Sequence, residues 1–559
     1  MVTLQVLVLS FWVRIPVTQQ NALIGCVLDA DHRRIFLFLP SATRKARGVQ
    51  CPRLFFLPSV SFLFITPMAS LKSLAKDTAI YGMSSIVGRF LNYLLFPLYT
   101  HVFAAASGGN GVITNMYSYT ALLFVILTFG METTLFRFIN RDDVEDPKKV
   151  YTTVLAIVGS VGLLFLAFVF AFLPYLSTQM GYPDHPDYVW MMAAVVALDA
   201  FQAVPFCYLR YQRRPVKFAV LKLSFIALNI LLNLLFFVVF PRFIDGWQIE
   251  VGHVFLVNLI CTGLITFGFW KELFGVKWRV DRSLIRPMLS YSWPILVLGI
   301  AGILNQTIDK ILFPKLVPGH EGIVQLGIYG GAVKLAMIMA LITQAFRYAY
   351  EPFVFAAAKK GESTDNRATY ALTMKYFLIF TLFAFLMVIA YIDLFKHMMG
   401  RDYWDGLKTV AIVMVGEIIK GVYFNLSFWY KLTDRTIWGA WFSGAGCLVL
   451  VACNLLFVPR FGYMACAWSG VIGYTVAMLL SYFTGQKYYP IAYPLKRIFA
   501  YVALTAVLYA AMTISRDFIT SDLLRIAFNS IGIVVFLAFT VRKDFPLASL
   551  PVVGKYFRK

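Results

Sequence analysis

Apolar positions in this chain fall into long unbroken runs, separated by short polar breaks. Neither the 3.6-residue rhythm of a half-buried helix nor the alternation of a surface strand persists. From residue 78 onward we count fourteen such runs, at 78–100, 112–136, 150–173, 189–209, 218–240, 251–270, 287–308, 325–349, 371–395, 409–430, 437–458, 462–484, 497–514 and 523–541. A run of about 20 apolar residues spans about 30 Å of hydrocarbon as an α-helix. The pattern predicts an all-α polytopic membrane protein with about 14 transmembrane helices. No break is long enough for a separate folded domain.

The breaks alternate in charge. One set includes "RFINRDDVEDPKK", "RYQRRPVK", "KELFGVKWRVDRSLIR" and the C-terminal tail, and carries 30 Lys and Arg; the other carries 9. The positive-inside rule places the rich set and both termini in the cytoplasm. This topology accounts for the net charge of +22, which in a soluble chain would suggest nucleic acid. No nucleic-acid-binding motif is present, so none is expected as a partner. Cys26, Cys51, Cys207, Cys261, Cys447, Cys453 and Cys466 form no C-x-x-C pair. They suggest neither a disulfide framework nor a metal site.

Two segments resemble one another. "YLRYQRRPVKFAVLKLSFIALNILLNLLFFVVFPRF" (208–243) and "WYKLTDRTIWGAWFSGAGCLVLVACNLLFVPRF" (429–461) align Arg210 with Lys431, Arg214 with Arg435 and Asn233 with Asn454. At a slightly smaller offset, Gly111 opening span 2 matches Gly327 opening span 8. Spans 1–6 therefore repeat as spans 7–12 with the same orientation. This divides the chain into an N-lobe (68–280), a C-lobe (281–486) and a two-span appendix with a basic tail (487–559). Two such lobes enclose a cavity and alternate its access by rocking.

Ionisable groups deep in a span cost at least about 2.5 kcal/mol, so they face a wet cavity or a partner. Arg89 lies about 16 Å along span 1 at 1.5 Å per residue, and Lys334 is similarly deep in span 8. Asp199 on span 4 and Lys420 on span 10 are equivalent in the repeat. They can pair across the lobes; alternatively Lys420 pairs locally with Glu417, the preferred arrangement, leaving Asp199 as a H+ or Na+ site. Asp309 and Lys310 lie near the end of span 7, where a gating role and an ordinary helix-end role are equally open. Lys222 is one turn inside span 5 and is expected to snorkel to the interface. Asn229, Asn233, Asn305, Gln306 and Asn454 are polar groups within spans, and the Asn233/Asn454 pair is expected to serve packing.

With these features, "ALDAFQAVPFCYLRYQRRPVKFAVLK", "GIYGGAVKLAMIMALITQAF" and "NLLFVPRFGYMACAWSG" resemble the Wzx-type polysaccharide flippase branch of the multidrug/oligosaccharidyl-lipid/polysaccharide (MOP) exporter superfamily. The resemblance implies a flippase in the bacterial inner membrane. Its substrate would be an undecaprenyl-pyrophosphate-linked oligosaccharide for O-antigen, capsule or exopolysaccharide synthesis. Its partners would be that lipid-linked sugar, membrane lipids and a polysaccharide polymerase or other assembly proteins. The head group is anionic, so Arg89 and Lys334 are the expected contacts, with Asp199, Asp309, Glu417 and Lys420 expected in coupling or gating. No phosphate-binding loop of the G-x-x-x-x-G-K-[ST] type is present. No cofactor is expected, and H+ or Na+ is the candidate coupling ion. Rival readings are a peptidoglycan lipid-precursor flippase, a drug/cation antiporter of the same superfamily and, less in keeping with the short loops, a polysaccharide polymerase or ligase. No nucleophile–base or metal constellation supports an enzyme.

Residues 1–67 lie outside the repeat. "MASLKSLAKD", from Met68, reads as a complete cytoplasmic lead-in to span 1. The expectation is that Met68 is the natural start and 1–67 a spurious or disordered extension.

Overall fold

The computed structural model describes residues 25–28, 35–38, 95–141, 146–359, 364–433 and 435–544, with the side chains of 348–349, 351–359 and 364–366 left aside. Most of span 1, including Arg89, and most of 1–67 lie outside the described residues. The chain divides into two compact units, Met1–Thr66 and Pro67–Lys559. The first contains a two-stranded antiparallel hairpin of β1 (Gly25–Leu28) and β2 (Ile35–Phe38), with Gly25 opposite Phe38 and Leu28 opposite Ile35.

The second unit is helical throughout its described length. Hydrocarbon offers no hydrogen bonds, so a spanning segment must satisfy its own backbone, and the helix does so within one strand of chain. The principal helices are α1 (Leu95–Val102), α2 (Gly109–Thr128), α3 (Met131–Ile139), α4 (Pro147–Ala171), α5 (Pro186–Tyr211), α6 (Pro215–Leu234) and α7 (Gly252–Phe267). They continue as α8 (Arg282–Leu316), α9 (His320–Lys359), α10 (Thr364–Ala390), α11 (Leu407–Leu426), α12 (Ile437–Phe461), α13 (Tyr463–Tyr488), α14 (Leu495–Phe518) and α15 (Asp522–Lys543). Prolines open α4, α5 and α6, where a missing N–H costs nothing. Asp146 and Asp281 cap α4 and α8 by accepting from the backbone N–H of Lys148 and Ser283. α6 runs on through a π-helical turn, Leu235–Val239, to Phe243.

Among the described residues, 12 helices are long and apolar enough to cross a membrane. The sixth expected span forms the shorter α7, of 16 residues. The chain is thus a multi-pass membrane protein.

α8 joins the two lobes. Its first half packs on the N-lobe, where Ile295 meets Gly130 and Tyr291 stacks edge-on with Phe138. Its second half packs on α12, where the Asn305 amide donates to Ser443 O at 3.0 Å. α14 and α15 pack against each other and against α10.

Two ionic clusters fasten that appendix, one to the short helical turns that follow α10 and one to α10 itself. At the Lys/Arg-poor end, Lys396 bonds Asp522 at 2.7 Å and Asp393 at 3.3 Å, and Arg525 bonds Asp393 at 3.2 Å as well as Asp522. At the opposite end, Asp544 accepts from Lys375 at 2.7 Å, Arg497 at 3.0 Å and Tyr501 at 2.6 Å, with its own side chain only 1% exposed. Burial works against the Asp544 charge, but the donations from Lys375 and Tyr501 outweigh it and hold the carboxyl below its usual range. A group so depressed contributes its full stability above the ordinary carboxylate pKa and loses it as pH falls through the folded value. Asp544→Asn should therefore destabilise the protein by about 3 kcal/mol at neutral pH. In detergent-solubilised protein followed by tryptophan fluorescence on heating, the gap from wild type should stay constant down to about pH 5 and close below about pH 4. A gap independent of pH would show that Asp544 acts without its charge.

Candidate functional site

A cavity of about 620 Å3 lies between the two lobes. The N-lobe contributes residues of α1, α2, α5, α6 and α7, and the C-lobe residues of α8, α9, α11, α12 and α13. Lys334, Asp199, Glu417 and Lys420, singled out from the sequence by their depth, all line it, as does Asp309 from the end of span 7. Arg89 lies outside the described residues.

The charges on the C-lobe wall form two similar groups. Asp309 pairs with Lys310 at 3.0 Å and accepts from Tyr329 Oη at 2.9 Å. Glu417 pairs with Lys420 at 2.5 Å, and Lys420 Nζ lies 5.6 Å from the Tyr474 ring centroid. The i,i+3 pair within α11 therefore forms, and Asp199 is left on the opposite wall, accepting from Thr262 at 3.4 Å. Glu417 Oε2 is buried and has no donor among the described residues.

Lys334 differs from these lysines. It forms no hydrogen bond or ion pair among the described residues, and its side chain is exposed to the cavity. The α9 backbone holds it about 21 Å from the helix start, at 1.5 Å per residue. A cation held there without a counter-charge is stable only in a wet space or beside an anion.

Lys222 departs from its expected snorkelling position. Its ammonium lies 4.1 Å from the Phe206 ring centroid. The aromatic face attracts the cation inward. The repeat pair Asn233 and Asn454 is fully buried. Asn233 accepts from Tyr99 at 2.8 Å and donates to Asn229 O, and Asn454 donates to Leu450 O, as packing residues would.

Sequence reasoning passed over Asn110, Tyr117, Asn258, Tyr329 and Tyr474, which also line the cavity. Tyrosine and asparagine also populate membrane interfaces and helix contacts, so residue type alone did not distinguish them. Only Gly111, next to Asn110 and matched in the repeat, pointed toward this wall.

The lobes close on each other at the Lys/Arg-poor end. Asn110 donates to Gly327 O at 2.8 Å, Tyr403 donates to Phe103 O at 2.8 Å, and His320 Nε2 lies 2.6 Å from Ala106 O. The repeat-equivalent glycines meet directly: a Cβ on Gly327 would lie 2.9 Å from Gly111 N. One on Gly111 would lie 1.9 Å from Ile323 O. This seam needs hydrogen at both positions.

Among the described residues, no group of three or more His, Cys, Asp or Glu is placed to hold a metal ion.

The fold is a two-lobed membrane bundle with a central cavity and two appended helices, and it can be compared with known proteins. Residues 74–348 match the family described as polysaccharide biosynthesis protein. Among solved structures, the lipid II flippase MurJ in an inward closed conformation aligns with 12% identity and a TM-score of 0.65, over 83% of this chain and 98% of that one. A multidrug resistance MATE family transporter of the MOP superfamily, inward-facing, aligns with 14% identity and a TM-score of 0.58, over 74% of this chain and 96% of that one. No curated protein matches the sequence. These likenesses show that the chain shares the fold of those two structures.

The seam yields a direct test. Gly111→Ala should overpack it by about 1–3 kcal/mol, moving the closed-to-open ratio about five-fold or more toward open. In a background cleared of native cysteines, cross-linking between Ala106→Cys and His320→Cys should fall accordingly when Gly111→Ala is added. An unchanged yield would show that the seam does not control this closure.

Proposed function

We propose that this protein flips a polyprenyl-pyrophosphate-linked oligosaccharide from the cytoplasmic to the outer leaflet of a bacterial inner membrane, for assembly of a surface polysaccharide. The observation that carries the proposal is Lys334, a cation with no partner among the described residues, facing a polar cavity shared by both lobes. A diphosphate supplies the missing counter-charge. The polysaccharide biosynthesis match over residues 74–348 supports a sugar-bearing cargo.

The lipid tail requires a separate, apolar path. A groove of about 710 Å3 lies between α10, α11, α13 and α14, lined by Leu378, Phe385, Ile418, Trp468, Met478 and Phe499 among others. Val471 lines both this groove and the central cavity. A head group in the cavity and a tail in the groove are then separated by about one side chain. The ionic clusters that tie α14 and α15 to α10 keep the groove in place while the lobes move.

By the positive-inside rule, the glycine seam is the outer closure and the termini are cytoplasmic. Substrate enters from the cytoplasmic side, and rocking exchanges that opening for one at the seam. Asp199 forms no ion pair among the described residues and is the carboxylate available to take up H+ or Na+. Asp309 and Glu417, already paired, are assigned to gating through their lysines.

A second reading follows from the MurJ likeness. A peptidoglycan precursor carries the same kind of lipid-linked anionic head group, and that structure aligns over most of this chain. A cation antiporter fits less well, because an uncompensated lysine in the cavity repels cationic drugs.

The experiment is flipping of fluorescently tagged lipid-linked oligosaccharide in proteoliposomes. Lys334→Ala should lower the rate at least about ten-fold, the worth of one lost charge-assisted contact, and Lys334→Arg should restore much of it. Full activity in Lys334→Ala at normal expression would remove this residue from the mechanism. In the same assay Asp199→Asn should abolish the response to an imposed H+ or Na+ gradient while leaving the head-group affinity near wild type. A mutant that still responds to the gradient would place coupling elsewhere.

A further inference from the structure

The two walls of the central cavity differ in chemistry. Among the described lining residues, every lysine, namely Lys310, Lys334 and Lys420, stands on a C-lobe helix, whereas the one charge on the N-lobe wall is the carboxylate of Asp199. The N-lobe wall is otherwise made of neutral hydrogen-bonding groups and aromatic faces, among them Tyr99, Tyr117, Asn229 and Asn258.

Within that wall one pair is incompletely satisfied. The Asn258 amide donates to Tyr117 Oη at 3.1 Å. The Asn258 carbonyl oxygen accepts no bond, and the Tyr117 hydroxyl donates none, among the described residues. The pair thus leaves one acceptor and one donor side by side at the edge of a half-buried tyrosine ring. Adjacent hydroxyls of a pyranose match such a pair, one donating and one accepting, while a sugar's apolar face suits an aromatic ring. Phosphate suits it poorly: it carries only acceptors at neutral pH, and Asp199 on the same wall repels it.

We infer that the cavity is divided, with the diphosphate held on the C-lobe wall at Lys334 and the saccharide read on the N-lobe wall by Asn258 and Tyr117. This rests on the flippase function proposed above and adds to it the residues that select the sugar. The two ends of one substrate then bridge the two lobes. Rocking carries them together because each lobe holds a chemically distinct part of the cargo.

The test measures binding in nanodiscs to two probes: polyprenyl pyrophosphate bearing a neutral oligosaccharide, and polyprenyl pyrophosphate without sugar. Asn258→Leu and Tyr117→Phe should each weaken binding of the sugar-bearing lipid by about ten-fold or less, as loss of one or two neutral hydrogen bonds does, and leave the sugar-free lipid unchanged. Lys334→Gln should weaken both probes by the same factor. Tyr117→Phe removes a single oxygen, so it decides the matter should Asn258→Leu fail to fold. The division is overturned if the N-lobe substitutions weaken both probes equally or neither, or if Lys334→Gln affects the sugar-bearing probe alone. Equal wild-type affinity for the two probes also overturns it, while leaving the flippase function standing. A wild type that binds neither probe overturns both.

Discussion

An unpaired charge in hydrocarbon is costly, and the arrangement of this protein follows from how that cost is met. Lys420 has Glu417, Lys310 has Asp309, Lys375 has Asp544, and Lys396 has Asp393 and Asp522. Lys222 rests on the Phe206 ring. Among the described residues, Lys334 has no such partner and faces the cavity. The paired charges hold helices together or shape the cavity wall. The lysine without a partner marks where an anion is needed, and a transported head group can be that anion for part of each cycle.

The proposed transport also requires two arrangements of similar energy, and the internal repeat supplies a means of building them. Gly111 and Gly327 occupy equivalent places in the two halves and touch across the lobe boundary. Their missing side chains allow backbone to approach backbone, giving a closure of high surface complementarity and few charged contacts. Such a seam separates without stranding ions in a dry interface, unlike the ionic clusters that fix α14 and α15 to α10. Rigid attachment and reversible closure thus use different chemistry in one chain.

Much of this was legible in the sequence because membrane physics acts on residue type and spacing. Run length gave the spans, loop charge gave an expected orientation, and the likeness of 208–243 to 429–461, extended by Gly111 and Gly327, gave the repeat. Depth within a span pointed to Lys334, Asp199, Glu417 and Lys420, and a span-end position to Asp309, all of which line the cavity. The direction of a side chain around its helix was not legible. Lys222, near a helix end, looked like a snorkelling residue, yet it turns inward because partners from α5 lie there. Asn258 and Tyr117 carried no signal for the same reason: a polar residue in a greasy helix reads alike whether it packs or lines a cavity. Their unused donor and acceptor become visible only once α2 and α7 are seen together.

The central claim is that an anionic lipid-linked saccharide occupies the cavity between the lobes. A structure of the protein in nanodiscs, determined with polyprenyl-pyrophosphate oligosaccharide bound, tests it most directly. The account predicts phosphate density within hydrogen-bonding distance of Lys334 Nζ and an apolar chain leading past Val471 into the groove beside α14. Density for the head group at the protein's outer surface, with an empty cavity, would contradict it.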